Sequence, residues 1–332
     1  MPSNDLSRRR ILQAVSLPVA ACTLGCGRVI AQEAYPSRTI RIVIGFPPGT
    51  STDYWARLLA ERLRQALGKP VIVDNKAGAH GQIGAAAVKM AETDGYTLFY
   101  ASLGTAVINL ALYGKRLRYD TLKDFEPVAG LERSALYLAV RKNLPVNNLK
   151  ELIAYAAAQP APLNYGSGGI GTTSHLMMEV LKKSTGMMAN HVPYKGAGGA
   201  VTDLIGGQIE MMFDTAPTLL PQWQGGTVKL IGTSSGRRVA AAPQLPTLKE
   251  QGADMDVQIW SGLFAPKGTP ASVIARLNEA VNSELSSGAF KGDMAKMGAE
   301  PFGGSADKFK KWVSEEIPRW TSIVKDSGAT PD

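Results

Sequence analysis

Apolar positions along this chain switch between a period of two and a period near 3.6. Residues 39–44 form a β-branched run that reads as a strand. Residues 53–67 follow as an amphipathic helix, capped by Ser51 or Thr52 and closed at Gly68. A short buried strand at 71–73, a helix at 81–91 and a strand at 97–101 complete a β-α-β-α-β run, for which a parallel sheet is expected. Further strands are expected at 136–140, 163–165, 189–194, 208–213, 228–233 and 258–265. Helices are expected at 148–158 (capped by Asn147 or Asn148), 173–185 and 200–205, with a short one ending near Gly252. Two long helices close the chain, at 270–285 and at 308–325, the second interrupted or restarted at Pro318. Strands and helices alternate throughout, so the class is α/β; no fixed-period repeat points to a solenoid.

Two strand-to-helix junctions share one design. Gly45-Phe46-Pro47-Pro48-Gly49-Thr50-Ser51-Thr52-Asp53 and Gly166-Ser167-Gly168-Gly169-Ile170-Gly171-Thr172-Thr173 are glycine-rich loops with hydroxyls that open a helix. Such a helix start offers unpaired N–H groups and a positive dipole end, which suit a carboxylate or phosphate. A third junction, Ala77-Gly78-Ala79-His80-Gly81, lies in the same half as the first. The second loop formally matches the dinucleotide fingerprint, but the strand region at 189–194 brings no acid, and no Walker lysine follows either loop. Gly232-Thr233-Ser234-Ser235-Gly236 matches the nucleophile elbow but lacks the helix that must follow it, so a strand end and a turn are expected. The three histidines, His80, His175 and His191, have no metal-ligand spacing. Asp53 is expected to cap the first helix, and Asp214 to end a strand at the edge where ligands bind in open α/β sheets. No catalytic residue, metal site or cofactor is expected.

Composition adds the destination. The 332 residues are 45% hydrophobic and 19% charged, with a formal charge of +8. Arg8-Arg9-Arg10-Ile11-Leu12 precedes an apolar stretch from Ala14 to Gly25, and Val29-Ile30-Ala31 offers a cleavage site. Residues 1–31 therefore read as an export signal, with a twin-arginine pattern. Both cysteines, Cys22 and Cys26, lie there, and Cys22 could alternatively carry a lipid anchor; cleavage at Ala31 leaves no thiol chemistry. No basic stripe interleaved with aromatics supports nucleic-acid binding.

The ordered set of motifs resembles the exported substrate-binding receptors of tripartite tricarboxylate transporters, the Bug-type receptors. It runs from Tyr35-Pro36-Ser37-Arg38 and Phe46-Pro47-Pro48-Gly49, with Asp53 and Ala56-Arg57, through Asn75, Gly78-Ala79 and Asp94-Gly95-Tyr96-Thr97-Leu98. Tyr119-Asp120, Asp124-Phe125-Glu126-Pro127-Val128 and the second glycine loop follow, then Val192-Pro193-Tyr194-Lys195-Gly196, Gly206-Gly207-Gln208, Pro246-Thr247 and Ala265-Pro266 with Gly268-Thr269-Pro270.

The resemblance implies a type II, "Venus flytrap" periplasmic binding protein, each lobe a mainly parallel sheet flanked by helices. Residues 33–137 with 258–330 would form one lobe and 138–257 the other. The implied ligand is a small organic acid or amino acid, held between the lobes of a monomer and delivered to membrane permease subunits; a periplasmic sensor presenting its closed form to a signalling protein is the alternative. The implied contacts are Phe46, Gly49, Thr50, Thr52, Asp53, Ala79, His80, Ser102 and Thr105 from one lobe, and Ser167, Gly168, Thr172, Thr173 and Asp214 from the other. Thr50 and His80 stand where the family usually has glycine, and Gly169 replaces a more typical loop residue.

Overall fold

The computed structural model describes residues 35–331; the export, cleavage and lipid-anchor readings on residues 1–31 lie outside them. The strands are β1 (Ile40–Ile44), β2 (Val71–Asn75), β3 (Thr97–Ser102), β4 (Phe125–Ser134), β5 (Tyr137–Arg141), β6 (Leu163–Ser167), β7 (Ala189–Pro193), β8 (Met211–Asp214), β9 (Val228–Thr233), β10 (Ile259–Pro266) and β11 (Ala299–Pro301). The helices are α1 (Ser51–Leu67), α2 (Gln82–Lys89), α3 (Asn109–Tyr113), α4 (Thr121–Asp124), α5 (Leu149–Ala157), α6 (Thr173–Thr185), α7 (Ala197–Gly206), α8 (Ala216–Gln224), α9 (Ala271–Ser286), α10 (Gly288–Lys296) and α11 (Ala306–Ser327).

Two sheets carry the fold, in the orders β11-β4-β10-β3-β1-β2 and β7-β6-β8-β5-β9. The α/β, two-lobed class holds, but both sheets are mixed where mainly parallel sheets were expected. In the first, β1 pairs parallel with β2 and β3, as β-α-β crossovers require, while β10 and β11 run antiparallel to their neighbours. In the second, β6 is parallel to β7 and β8, and β5 is antiparallel to β8 and β9. Apart from β11, the strands in antiparallel pairs include those that follow or precede a passage between the sheets, β4, β5, β9 and β10: the chain leaves the first sheet after Ser134 and re-enters it at Ile259.

Several elements depart from the sequence pattern. β4 is ten residues long where no strand was expected, because Pro127, Gly130, Glu132 and Arg133 spoil its alternation. Residues 247–252 form hydrogen-bonded turns, with no helix. Residues 208–210 precede β8 and lie outside it. α11 runs unbroken through Pro318. An interior proline costs about 3 kcal/mol, and here the buried stripe Phe309, Val313, Glu316, Trp320 and Val324 offsets it. Glu316 Oε2 accepts from both Trp260 Nε1 (3.0 Å) and Trp320 Nε1 (2.9 Å), which ties this helix to β10. The ring of Phe309 fills the space over Gly262, where a Cβ would lie 2.1 Å from it.

Ser234, the serine of the false elbow, binds both passages between the sheets. Its amide donates to Leu136 O (2.9 Å) and its carbonyl accepts from Val257 N (2.8 Å). Its hydroxyl accepts from Leu136 N (2.9 Å) and donates to Val257 O (2.7 Å). Leu136 and Val257 are buried, so no water replaces a lost bond. Ser234→Ala is therefore expected to cost about 2–3 kcal/mol in urea unfolding, the penalty of stranding buried backbone groups; a change under about 0.5 kcal/mol, the scale of an ordinary surface substitution, would contradict this role.

Candidate functional site

The first glycine loop is built around Asp53. Thr50, not Ser51 or Thr52, is the N-cap of α1: its Oγ1 accepts from Asp53 N (3.3 Å) and donates to Pro47 O (2.9 Å). Asp53 Oδ2 accepts from Gly49 N (3.0 Å) and Arg57 Nε (3.0 Å), and Oδ1 from Asn75 Nδ2 (2.9 Å) and Arg57 Nη2 (2.8 Å). Asn75 Nδ2 also reaches Phe46 O (3.0 Å). Arg57 above all, then Asn75 and Gly49, hold the Asp53 carboxyl down at about 2 against the opposing effect of burial. Both oxygens are saturated by protein donors. Thr50 and Asp53, expected among the ligand contacts, thus also form the framework of the loop. With Gly49 they border an open surface hollow next to Tyr54, Arg57 and Leu58.

The third junction packs against the first. A Cβ on Gly45 would lie 2.4 Å from Gly81 Cα, so only glycine permits this backbone approach. A Cβ on Gly81 would in turn meet Thr105 Oγ1 at 2.7 Å and the Phe46 ring at 3.5 Å. Ala79 (φ 46°) and His80 (φ 53°) are left-handed, a conformation that favours glycine. Asn109 Nδ2 supports the turn by donating to His80 O (2.9 Å). The His80 ring is exposed, edge-on to Tyr113 at 6.1 Å. Thr105 is buried beneath the turn, its Oγ1 3.4 Å from Ser102 Oγ.

The second glycine loop also spends its polar groups on itself. Ser167 Oγ accepts from Gly169 N (3.1 Å) and lies 2.6 Å from His191 Nε2. Gly168 N donates to Ser174 Oγ (3.1 Å), and Gly171 N to His175 Nδ1 (3.1 Å). Thr172 caps α6 and donates to Gly169 O (2.7 Å). His175 and His191 stack with centroids 3.9 Å apart, and Tyr165 lies 4.9 Å from His191. Burial, then the neighbouring His175, pushes His191 down to about 4. The side chains of His175 and His191 therefore support the loop from below as neutral rings. Gly171 faces Leu112 of α3, where a Cβ would lie 2.5 Å from that side chain.

What the loops leave over is the first helical turn, whose N–H groups have no intrahelical acceptor. Ser51 and Thr52 of α1 border a small cavity of about 50 Å³ between the sheets. Across it stand Thr215 and Pro217, at the start of α8. The helix start facing α1 here is thus that of α8, where that of α6 was expected. Trp55, Tyr100, Glu132, Ser134, Trp260 and Ser261 line the rest, with Ile259 and Met297. Of the ligand contacts expected from the sequence, Thr52 alone lines this cavity. Asp214 ends β8 next to it, with Oδ1 accepting from Thr215 N (2.7 Å) and Thr215 Oγ1 (3.2 Å), and burial pushes its carboxyl up. Glu132 had one signal in the sequence, an acid inside an otherwise buried strand, but β4 itself was not recognised.

No group of His, Cys, Asp and Glu among the described residues is arranged to hold a metal ion, and no described helix is long and apolar enough to cross a membrane. Residues 55–329 match the profile of the family described as "Tripartite tricarboxylate transporter family receptor". Protein BugT of Bordetella pertussis is 33% identical over 326 residues, covering 98% of this chain and 99% of BugT. Two solved structures from Rhodopseudomonas palustris superpose closely. Rpa4515, solved with adipate, gives a TM-score of 0.80 at 34% identity, over 90% of this chain and 100% of its own. MatC, with bound malate, gives 0.75 at 33%, over 87% and 100%.

Two outcomes test the loop chemistry. The turn at Ala79 tolerates alanine at positive φ, but a β-branched side chain there is strained; Ala79→Val is expected to cost about 1–3 kcal/mol in denaturant unfolding. His191 takes up a proton near 6.5 when unfolded and only near 4 when folded. Between these values the unfolded chain binds more protons, so stability should fall as pH drops through that window. His191→Gln should make this decline shallower in urea titrations at a series of pH values.

Proposed function

Because this chain belongs to the tripartite tricarboxylate transporter receptor family, we propose that it is a periplasmic receptor that takes a small dicarboxylate between its two lobes and delivers it to membrane permease subunits. Receptors of this family bind substrates and are not enzymes. The observation that carries the ligand class is the pair of helix starts, Ser51-Thr52 and Thr215, on opposite sides of one cavity. The first-turn amides of α1, at a positive dipole end, favour a carboxylate over a cation or a neutral solute; α8 adds its dipole end, since Thr215 N is taken by Asp214 Oδ1 and Pro217 has no N–H. The adipate and malate carried by the relatives are the chemistry such a site suits.

Closure is driven by differential affinity. A ligand that touches α1 and α8 together stabilises only the arrangement in which both are near, so binding favours the closed form. The passages pinned by Ser234 are where the chain would bend. Phe46, Ala79 and His80 border the same end of the first sheet, and Ser167, Gly168, Thr172 and Thr173 the corresponding loop of the second. In this reading they shape the outer part of the cleft through their backbone.

The reading is tested by thermal shift and calorimetry against malate, adipate, tricarboxylates, amino acids and polyamines. A carboxylate at a hundred times its dissociation constant should stabilise the protein by about 2.7 kcal/mol. Failure of every carboxylate, with a polyamine binding instead, would sink the anion assignment. Thr52→Glu adds a negative charge that a helix start accepts without loss of fold; it should weaken carboxylate binding at least about tenfold, or 1.4 kcal/mol.

A further inference from the structure

We propose that Glu132 sets the specificity of this site: its carboxyl group, acting as a hydrogen-bond donor, receives one carboxylate of the ligand in the cavity between the sheets. The assignment rests on the receptor reading above and extends it to a residue that the glycine loops do not contain.

Glu132 is held by rigid elements. It lies on β4, with Tyr100 on β3 and Ser261 on β10, and all three side chains border the cavity. Glu132 is 7% exposed. Tyr100 OH donates to its Oε1 (2.8 Å), and Ser261 Oγ contacts the same Oε1. Ser261 Oγ is also 2.6 Å from Tyr100 OH. The three oxygens therefore form a closed triangle of hydrogen bonds. Two hydroxyls supply two protons for three contacts, and a hydroxyl has one proton to give. Both hydroxyl protons are thus spent within the triangle, and a carboxyl proton is free for a ligand only on Oε2. All these bonds fall on Oε1, so Oε2 has no side-chain partner among the described residues.

The surroundings favour the neutral acid. No cation lines the cavity; Glu132 and Tyr100 are its titratable residues. Arg133, next along β4, lies over the Phe302 ring at 5.6 Å, since neighbouring side chains of a strand point to opposite faces. On the flanking elements, Asp53 is paired with Arg57, Glu300 with Arg237, and Glu316 with Arg319, while Asp214 is bonded to Thr215. None of these arginines compensates a charge on Glu132. Burial accordingly pushes its carboxyl up to about 7, although the hydrogen bonds from Ser261 and Tyr100 pull the other way.

A cavity of about 50 Å³ has room for a few ordered waters or one carboxyl-sized group, not a whole dicarboxylate. A protonated carboxyl that donates to a carboxylate makes a charge-assisted bond, stronger than one to a neutral amide or ester. The same carboxyl, once ionised, repels that ligand group in a site without a counter-charge. Binding is thereby coupled to one proton: with a pKa near 7, affinity falls about tenfold between pH 6 and pH 8.

Calorimetric titration with adipate and malate, at pH 6 and pH 8, tests the proposal on the wild-type protein and on Glu132→Gln. The expected result is a roughly tenfold weaker dissociation constant at pH 8 for the wild type, with proton uptake visible as a buffer-dependent enthalpy. The glutamine side chain donates without titrating, so the variant should bind equally at the two pH values. An equal tenfold fall in the variant, or no fall in the wild type, overturns the proposal. If neither acid binds either protein, the dicarboxylate reading fails, and the infrared spectrum of the unliganded protein decides on Glu132 separately. A protonated-carboxyl C=O band present at pH 6, lost at pH 8 and absent from the variant supports the acid form; its absence at pH 6 overturns it.

Discussion

One serine joins the two passages of chain on which the arrangement of the sheets depends. Ser234 uses its amide, its carbonyl and its hydroxyl to bind Leu136 and Val257 in parallel. The ends of β4 and β10 are thereby kept beside the ends of β5 and β9, and Glu132 and Ser261, close to those ends, border the cavity with Thr215. Rotation of one sheet relative to the other has to be taken up within a few residues of this serine. A pinned connection of this kind confines relative motion of the sheets to a hinge.

The loops around the cavity illustrate how rigidity is made from polar groups. Asp53 gathers Gly49, Arg57 and Asn75; Ser167, Thr172, Ser174 and the two stacked histidines gather the second glycine loop. Such side chains look like ligand contacts in a sequence because they are hydroxyls, acids and histidines beside glycines. Here they are mostly consumed in fixing the backbone. The groups left over are first-turn amides such as those of Ser51 and Thr52 in α1, which carry little residue signature because every residue type but proline supplies them. Recognition built on preformed backbone donors avoids the entropy of ordering long side chains.

The elements that could be read from the sequence were those with local cues. α1 ends at Gly68 in the left-handed conformation and α6 at Gly186 likewise, both as the helix periodicity and the glycine indicated. Asn148 caps α5 and Pro270 precedes α9 for the same reason. The unreadable elements lacked such cues. β4 carries proline, glycine and three charged residues, and is a strand because β10 and β11 pair with it on both sides. α11 survives Pro318 because Phe309 and Trp320 are packed on its inner face.

The same division applies to the site. Linear patterning was enough for the α/β class, the glycine junctions and the expectation of an anionic ligand, because these follow from short-range geometry: a strand, a turn that needs glycine, and a helix with a free N-terminus; the family was legible only through the resemblance of its ordered motifs. It could not place Tyr100, Glu132 and Ser261 around one oxygen, nor bring Thr52 opposite Thr215. Those residues are separated by tens to more than a hundred positions, and no residue in between specifies the encounter. Sheet pairing and the Ser234 connection decide it. Burial without a nearby counter-charge then pushes this carboxyl up to about 7, whereas Arg57 holds that of Asp53 down at about 2.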